Sequence, residues 1–504
     1  MKKLITLTIL TIVALQLSAQ FTFNLTGISS KSGRKVELRD IVTDGAVDST
    51  SVLKAGDPLK LRILEDGELS NYKYADLKKF RFDANNLKQF WQNEALNNGV
   101  YESLAKYGMQ YDLRDEREGE ALKFLNEMGQ QGLVFEDSYL ESYLYTLTYK
   151  IYPGSIEDGR PGILNVKVMM DNAPNAFIFP NGTMILTIGL LSTLNSEEEL
   201  TAVMAHEIAH FVLDHSLINQ NKAIKRQHAA EFWAGFATVV AGAISGYASS
   251  QQVNINPVVF TMGTAFLSFT IAAAFSERLN LKYSREQETA ADRCAVELLN
   301  FIKVDPTALS SALTKIKKYC IITGNYNVIS GNGTHPDIAE RIRLIGTPNH
   351  FSSTAYDKII SFVNTSNAVI EFNCRHFYAC QGLVDRNINS GVPTEVDYIL
   401  KAMTNLYLYD TLEKNIESLE LIKKAKSLNV DPNFNVSKQE ALVLIRINRL
   451  PDALVALKSY SEKLDQEILN TEKIRNQELW SSVKQYLEDE KVWTSKMIYK
   501  VKTM

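Results

Sequence analysis

The pattern His206-Glu207-Ile208-Ala209-His210 constrains the fold of this chain more than any other feature of the sequence. On an α-helix, residues four apart lie on one face, where two imidazoles can bind one zinc ion. The glutamate between them lies close enough to take a proton from water without binding the metal itself. Apolar residues on both sides of the motif indicate a buried helix, in which unpaired histidine and glutamate side chains would be costly. The sequence therefore predicts a buried helix with a metal site.

The third ligand has to come from another part of the chain, because a catalytic zinc site has three protein ligands and one open position. Leu213 and Ser216 stand where the metzincin pattern has glycine and histidine, so that class is excluded. His215 would lie about 140° round a continued helix from His210. This position predicts either a surface histidine or one that lies behind the metal ligands.

A later helix offers a glutamate as the third ligand. In Ser284-Arg285-Glu286-Gln287-Glu288-Thr289-Ala290-Ala291-Asp292, Glu288 and Asp292 are four apart and share one helical face. Glu288 can bind the metal, and Asp292 could then hydrogen-bond a ligating histidine and fix its tautomer. A solvated helix surface also carries such glutamates, so these residues alone leave both interpretations open.

Several segments occur together in the order found in one family of enzymes. They are Asn175-Ala176-Phe177, Gly189-Leu190-Leu191, the helix from Glu199-Leu200 to His210, Ser284-Arg285-x-x-Glu288-x-x-x-Asp292, and Thr334-His335-Pro336 with Arg341. Over residues 135–346 the chain resembles the HtpX, Oma-type and CAAX prenyl endopeptidase family of zinc peptidases, which are gluzincins. The resemblance implies one Zn²⁺ per chain, bound by His206, His210 and Glu288.

The resemblance also implies roles for residues around the metal. In the family the histidine that corresponds to His335 faces the zinc site. It either stabilises the tetrahedral oxyanion or, in a resting state, occupies the fourth position of the zinc. Asp292, Arg341 and Asn175 are expected beside the ligands or the substrate.

The expected reaction is the hydrolysis of peptide bonds. Zinc activates water and polarises the scissile carbonyl, and Glu207 passes the proton of the water to the leaving amine. We expect the peptide substrate to lie along the strand at 184–188 and to add to its edge.

The whole chain is predicted to be mainly α-helical with a small β-sheet. Residues 20–110 contain β-like stretches at 35–38 and 59–63 and have no assigned role. Residues 111–350 are the predicted peptidase domain, and residues 351–504 a helical C-terminal domain. A strand at 163–170 and a hairpin that turns at Pro180-Asn181-Gly182 predict the sheet. The similar segments 415–422 and 450–457 suggest tetratricopeptide-like repeats.

The first 19 residues predict a signal peptide, with Lys2-Lys3 before an apolar run and a small-residue cleavage site before Gln20. The protein is therefore expected to be exported to the periplasm or cell envelope. A net charge of -4 provides no basic field, so nucleic acid is not an expected partner. Cys374 and Cys380 are close enough in sequence either to form a disulfide or to stay free, and Cys294 and Cys320 are typical of buried thiols.

Residues 232–276 contain no charged side chain, and the surrounding segment 229–278 is a predicted apolar helical insertion. Its length allows two membrane spans, but Gly, Ala, Ser and Thr make up much of it. We favour a helical hairpin that packs over the site as a lid, or contacts a membrane surface, over true spans. Alkaline extraction of membranes separates these alternatives.

These features together predict a zinc-dependent metalloendopeptidase that acts in protein quality control or processing in the bacterial cell envelope. Its substrates are expected to be proteins or peptides, and the C-terminal helices are expected to offer a surface for a protein partner. One alternative is a catalytically silent chaperone or adaptor on the same fold. A second is an integral membrane protease that spans the bilayer through 232–276.

Overall fold

The computed structural model describes residues 21–43, 59–102, 119, 121–126, 128–129, 132–154, 156, 163–216, 283–323, 338–428, 434–471 and 477–504. The predicted signal peptide, the uncharged segment 232–276 and His335 lie outside the described residues. Among the residues that are described, no helix is both long and apolar enough to cross a membrane.

Among the described residues, strands and helices are mixed as far as the second sheet, and every element after that sheet is a helix. The strands are β1 (Phe21–Ser29), β2 (Lys35–Thr43), β3 (Leu59–Glu65), β4 (Glu68–Lys73), β5 (Phe80–Phe82), β6 (Asn165–Met169), β7 (Ala176–Ile178) and β8 (Thr183–Thr187). The helices are α1 (Leu87–Asn97), α2 (Ser138–Ile151), α3 (Ile188–Thr193), α4 (Glu197–Val212), α5 (Arg285–Phe301), α6 (Thr307–Thr323), α7 (Ile338–Ile345), α8 (Thr354–Ile359), α9 (Ser361–Asn373), α10 (Phe377–Ser390), α11 (Glu395–Leu408), α12 (Leu412–Leu428), α13 (Phe434–Arg446), α14 (Leu450–Thr471) and α15 (Gln477–Thr503). The predicted fold class, mainly α with a small sheet, is confirmed.

The N-terminal strands form an antiparallel sheet in the order β4-β3-β2-β1-β5. Buried and exposed residues alternate along β1, as they do in a strand with one face on a core. Gly27 allows β5 to approach, because a Cβ there would lie 2.1 Å from the carbonyl oxygen of Arg81. The β-like stretches in the sequence correspond to β2 and β3, while the other three strands were not predicted.

Helix α1 attaches this sheet to the centre of the protein. The indole nitrogen of Trp91 donates to the carbonyl of Ile151 at the end of α2, at 3.0 Å. Further along α1, the carboxylate of Glu94 accepts a hydrogen bond of 2.7 Å from the thiol of Cys294 on α5. The N-terminal sheet, α1 and the central helices share one hydrophobic core.

The second sheet has three strands in the order β6-β8-β7, with β6 parallel and β7 antiparallel to β8. The predicted hairpin is present, and Gly182 takes a positive φ of 80° in its turn. The expectation that 184–188 offers a free edge is wrong, because β8 is the central strand and both of its edges are paired. Residues 133–135 cover the outer edge of β6, where Phe135 N donates to Val168 O at 2.9 Å.

Helix α4, which carries the histidine motif, begins where the sequence predicts and is almost wholly buried. The hydroxyl of Ser196 caps it by accepting from Glu199 N at 3.3 Å. Every residue from Glu199 to Val212 is buried, with α5 and α6 packed against the helix. Three acidic residues in its first turn suit the positive end of the helix dipole.

The C-terminal helices α9 to α15 pack in sequence order, each against the next. The two similar segments of the sequence begin within α12 and at the start of α14, and each of these helices packs on the helix before it. Whether they are tetratricopeptide-like repeats stays a prediction. All four cysteines are free, and Cys294 and Cys320 are buried as predicted.

Candidate metal centre

Helices α4 and α5 bring three metal-binding side chains together. His206 Nε2 lies 3.1 Å from His210 Nε2 and 3.4 Å from Glu288 Oε2, and His210 Nε2 lies 3.5 Å from Glu288 Oε1. All three residues are at most 3% exposed. Among the described residues, these three side chains lie close enough together to hold one metal ion.

The spacing of these donor atoms suits a zinc ion. Bonds of about 2.0–2.1 Å in tetrahedral geometry place neighbouring ligand atoms about 3.3 Å apart. The three measured separations lie within 0.2 Å of this value. Two imidazole nitrogens and a carboxylate are also the donor set of the zinc peptidases that have a His₂Glu site. The residues therefore fit the metal that the sequence predicts.

A carboxylate and a guanidinium lie behind His206. Asp292 Oδ1 is 2.9 Å from His206 Nδ1, and Arg341 on α7 binds both carboxylate oxygens of Asp292, at 2.9 and 2.8 Å. Arg341 also approaches Glu288, with Nη1 3.3 Å from Oε2. The structure thus brings Asp292 and Arg341, both predicted from the sequence, into contact with two of the three clustered residues.

The charges of this group determine how its members titrate. Burial acts to raise the pKa of Asp292, but Arg341 and His206 hold it well below its ordinary value. Burial and Arg341 act to lower the pKa of His206, while Asp292 and Glu288 outweigh them and raise it to about 9. Asp292 is therefore ionised and accepts the hydrogen bond from His206 Nδ1.

His210 is surrounded by residues that the sequence analysis did not place. His215 Nδ1 lies 2.8 Å from His210 Nδ1, and the ring of Tyr283 stacks on the His210 ring with centroids 3.7 Å apart. His215 is 6% exposed, so a surface position for it is wrong and the position behind the ligands is correct. Burial holds the pKa of His210 well below its ordinary value. Tyr283 was missed, although it directly precedes the Ser284-Arg285 motif.

Glu207 is 2% exposed and lies beside the cluster without belonging to it. Burial and the nearby charge of Glu207 raise the pKa of the Tyr283 hydroxyl. The same charge contributes to the raised pKa of Arg341. The carboxylate of Glu207 therefore lies near both Tyr283 and Arg341.

Asn175 is half-buried, and its backbone is hydrogen-bonded to Thr187. Its N–H donates to Thr187 Oγ1 at 3.0 Å, and its carbonyl accepts from Thr187 N at 3.1 Å. These bonds attach the start of β7 to β8. A place for the side chain of Asn175 beside the ligands or the substrate stays a prediction.

Comparison with known proteins shows what the region around this site is similar to. The sequence model of Peptidase family M48 matches residues 157–348. The "Protease HtpX homolog" of Dictyoglomus turgidum is 30% identical over 203 residues, which are 36% of this chain and 62% of the relative. The "Beta-barrel assembly-enhancing protease" of Yersinia pestis is 27% identical over 195 residues, 38% of this chain and 36% of the relative. The "Mitochondrial metalloendopeptidase OMA1" of Schizosaccharomyces pombe is 28% identical over 179 residues, 35% of this chain and 44% of the relative.

The chain thus spans between 36% and 62% of the length of these relatives. The matched region contains the three clustered residues, Glu207, Asp292 and Arg341. It also contains the small sheet and the helices α4 to α7. Over residues 157–348, the chain is similar to peptidase family M48.

Proposed function

We propose that this protein is a zinc-dependent metalloendopeptidase that hydrolyses peptide bonds of proteins. The observation that carries the proposal is the buried triangle of His206, His210 and Glu288, whose edges match a tetrahedral zinc site. Glu207, the residue next to His206, supplies a buried carboxylate beside that triangle. Peptide hydrolysis by a zinc site needs three ligands and a proton-transferring group, and all four residues are present.

In this proposal His206, His210 and Glu288 hold the zinc, which supplies Lewis-acid activation of water and of the scissile carbonyl. Glu207 takes the proton of the attacking water and delivers it to the leaving amine. Asp292 accepts from His206 Nδ1, which keeps a proton on that nitrogen and directs Nε2 at the cluster. Arg341 holds Asp292 through two hydrogen bonds.

The substrate would align along β7 rather than β8. Asn175 pairs with Thr187 and Phe179 with Thr183 through backbone hydrogen bonds of 3.1 and 2.8 Å. In an antiparallel ladder the residues between such pairs direct their backbone groups away from the partner strand. Ala176 and Ile178 therefore present N–H and C=O groups on the outer edge of β7, which packs against α4. An extended peptide can add to that edge with little side-chain preference.

Protein quality control or processing in the bacterial cell envelope is the proposed setting. Its support is the predicted signal peptide, together with relatives whose names describe proteases, one of them a "Beta-barrel assembly-enhancing protease". The seven helices α9 to α15 give the chain a surface on which a protein partner can dock. Contact of residues 232–276 with a membrane surface belongs to the same proposal.

The proposal is tested by separating metal binding from chemistry. Glu207→Gln is expected to keep about one zinc per chain and to lose nearly all casein hydrolysis, because only the proton-transferring group is removed. Glu288→Ala is expected to lose the zinc as well, because a ligand is removed. Glu198→Gln is the matched control, since Glu198 lies on the same helix but is exposed.

Three results would contradict the proposal. One is wild-type protein that carries stoichiometric zinc but cleaves no protein substrate, which would favour the chaperone or adaptor alternative. Another is full activity of Glu288→Ala with zinc still bound, which would show that the third ligand is wrong. Activity that survives a strong chelator would exclude metal-dependent hydrolysis altogether.

A further inference from the structure

The two ring nitrogens of His210 face different surroundings. Nε2 is directed at His206 and Glu288, at 3.1 and 3.5 Å. Nδ1 is directed at His215 Nδ1, at 2.8 Å, which is hydrogen-bond distance. A neutral imidazole carries one proton, so a ring that binds metal through Nε2 carries its proton on Nδ1. His210 must then be the donor, and His215 must accept at Nδ1.

The end of α4 explains why His215 reaches this position. The helix ends at Val212, and Asp214 takes a positive φ of 52°, which few residues other than glycine adopt. The helix is therefore interrupted between His210 and His215, and the ring of His215 lies against the ring of His210, with centroids 4.9 Å apart. The amide of Gln287 donates to the carbonyl of His215 at 3.3 Å. Gln287 belongs to the capping box of α5 and directly precedes Glu288, so His215 is tied to both helices of the cluster.

Tyr283 packs on the face of the His210 ring and restricts the movement of that ring. Its ring lies nearly parallel to the His210 ring, at 15°, with centroids 3.7 Å apart. The Tyr283 hydroxyl is 3.0 Å from the hydroxyl of Ser216, the residue after His215. Stacking prevents the imidazole from tilting, while the bond to His215 selects its tautomer. His206 has an equivalent partner in Asp292, so each ligating histidine is held at Nδ1 by a different group.

We propose that His215 is a positioning residue that accepts the Nδ1 hydrogen bond of His210 and so directs Nε2 of that ring at the metal. This role rests on the proposed function and deepens it. Partners of this kind, which hold a ligand without touching the metal, typically contribute about 10–100-fold to metal affinity. The expected contribution of His215 is of that size.

A matched pair of substitutions tests the hydrogen bond separately from packing. Asparagine carries an acceptor oxygen on Cγ, close to the position of histidine Nδ1, whereas leucine has a similar branched shape and no acceptor. In the full chain, His215→Leu is expected to weaken zinc binding by about 10–100-fold in competition with a chelator, and His215→Asn by only about threefold or less. The cobalt-loaded His215→Leu protein should also show an altered visible absorption spectrum, while the spectrum of His215→Asn stays close to that of the wild type.

A measurement on the unsubstituted protein covers the case in which His215→Leu fails to fold. Labelling of the seven histidines with ¹⁵N allows their tautomers to be identified by NMR, with His215→Asn assigning the signal that is lost. The zinc-loaded chain should show His215 protonated on Nε2 and unprotonated on Nδ1. A proton on Nδ1 of His215 would overturn the proposal.

Equal zinc affinity of the leucine and asparagine variants would also overturn it, because the acceptor would then make no difference. This failure differs from failure of the proposed function. In the first case the wild-type protein binds zinc and hydrolyses casein, and only the role of His215 is wrong. In the second case the wild-type protein itself lacks stoichiometric zinc or chelator-sensitive hydrolysis.

Discussion

Asp171 gives the stability of this protein a calculable dependence on pH. The residue follows β6 and is 1% exposed. Burial raises the pKa of its carboxyl from an ordinary value of 3.8 to about 7, against the hydrogen bond from Ala173 N and with help from the charge of Glu371. The unfolded chain therefore ionises Asp171 at a much lower pH than the folded protein does.

The sign and size of the effect follow from proton linkage. Between pH 3.8 and about 7 the folded protein holds a proton at Asp171 that the unfolded chain has released. Over this interval the free energy of unfolding falls by about 1.4 kcal/mol per pH unit, because the folded state binds more protons. The contribution of the protonated Asp171 to stability is complete below the pKa of the unfolded chain. It is lost as the pH rises through the pKa of the folded protein. Its total is about 4 kcal/mol.

Asp171→Asn removes the titration and keeps an oxygen that can accept from Ala173 N. The variant's free energy of unfolding, minus that of the wild type, should rise by about 4 kcal/mol between pH 4 and pH 8. Urea unfolding of both zinc-saturated proteins at several pH values measures this difference, from which the other titrating groups cancel. Glu413→Gln, at an exposed position, is the control. A difference for Asp171→Asn that is flat across this range would refute the reasoning.

Two further predictions concern the attachment of the N-terminal sheet and the outer edge of β7. Cys294→Ala should lower the free energy of unfolding by about 1–3 kcal/mol, because the carboxylate of Glu94 loses a buried donor. Cys294→Ser restores a donor and should lower the free energy of unfolding much less. Urea unfolding measures both differences. Ile178→Pro removes an N–H from the outer edge of β7 and leaves the bonds to β8 in place. It should raise KM for an extended peptide with zinc affinity unchanged, and an unaltered KM would exclude this edge as the substrate site.

The local features of the site could be predicted from sequence because they depend on short spacings. The helix start at Ser196, the shared face of His206 and His210, and the hairpin around Gly182 each follow from residues within a few positions of one another. The same reasoning left the position of His215 open, because it assumed that the helix continued. The positive φ of Asp214 interrupts the helix before His215, and no spacing rule indicates that interruption.

Features that depend on distant residues could not be obtained in this way. The order β6-β8-β7 makes the strand with the strongest hydrophobic pattern the central one, although a single strand's pattern cannot distinguish a centre from an edge. Arg341 and Asp292 are on different helices, and only the fold shows that they bind each other. The sequence analysis placed each of them near the metal ligands or the substrate, but it did not pair them.

The two ends of α4 are held by different helices, and this affects how losses of zinc should be interpreted. At its start the buried Glu199 accepts from Ser311 and from Lys315, both on α6 and both at 2.5 Å. At its end His215 is tied to α5 through Gln287. Removing one partner of a fully buried ion pair costs about 3–5 kcal/mol. Lys315 is half-buried, so its loss is expected to cost less, but it still takes the cation from the buried Glu199 on the helix that carries the histidines. Loss of zinc in such a variant would therefore not identify a ligand, and only variants whose unfolding free energy is unchanged can do so.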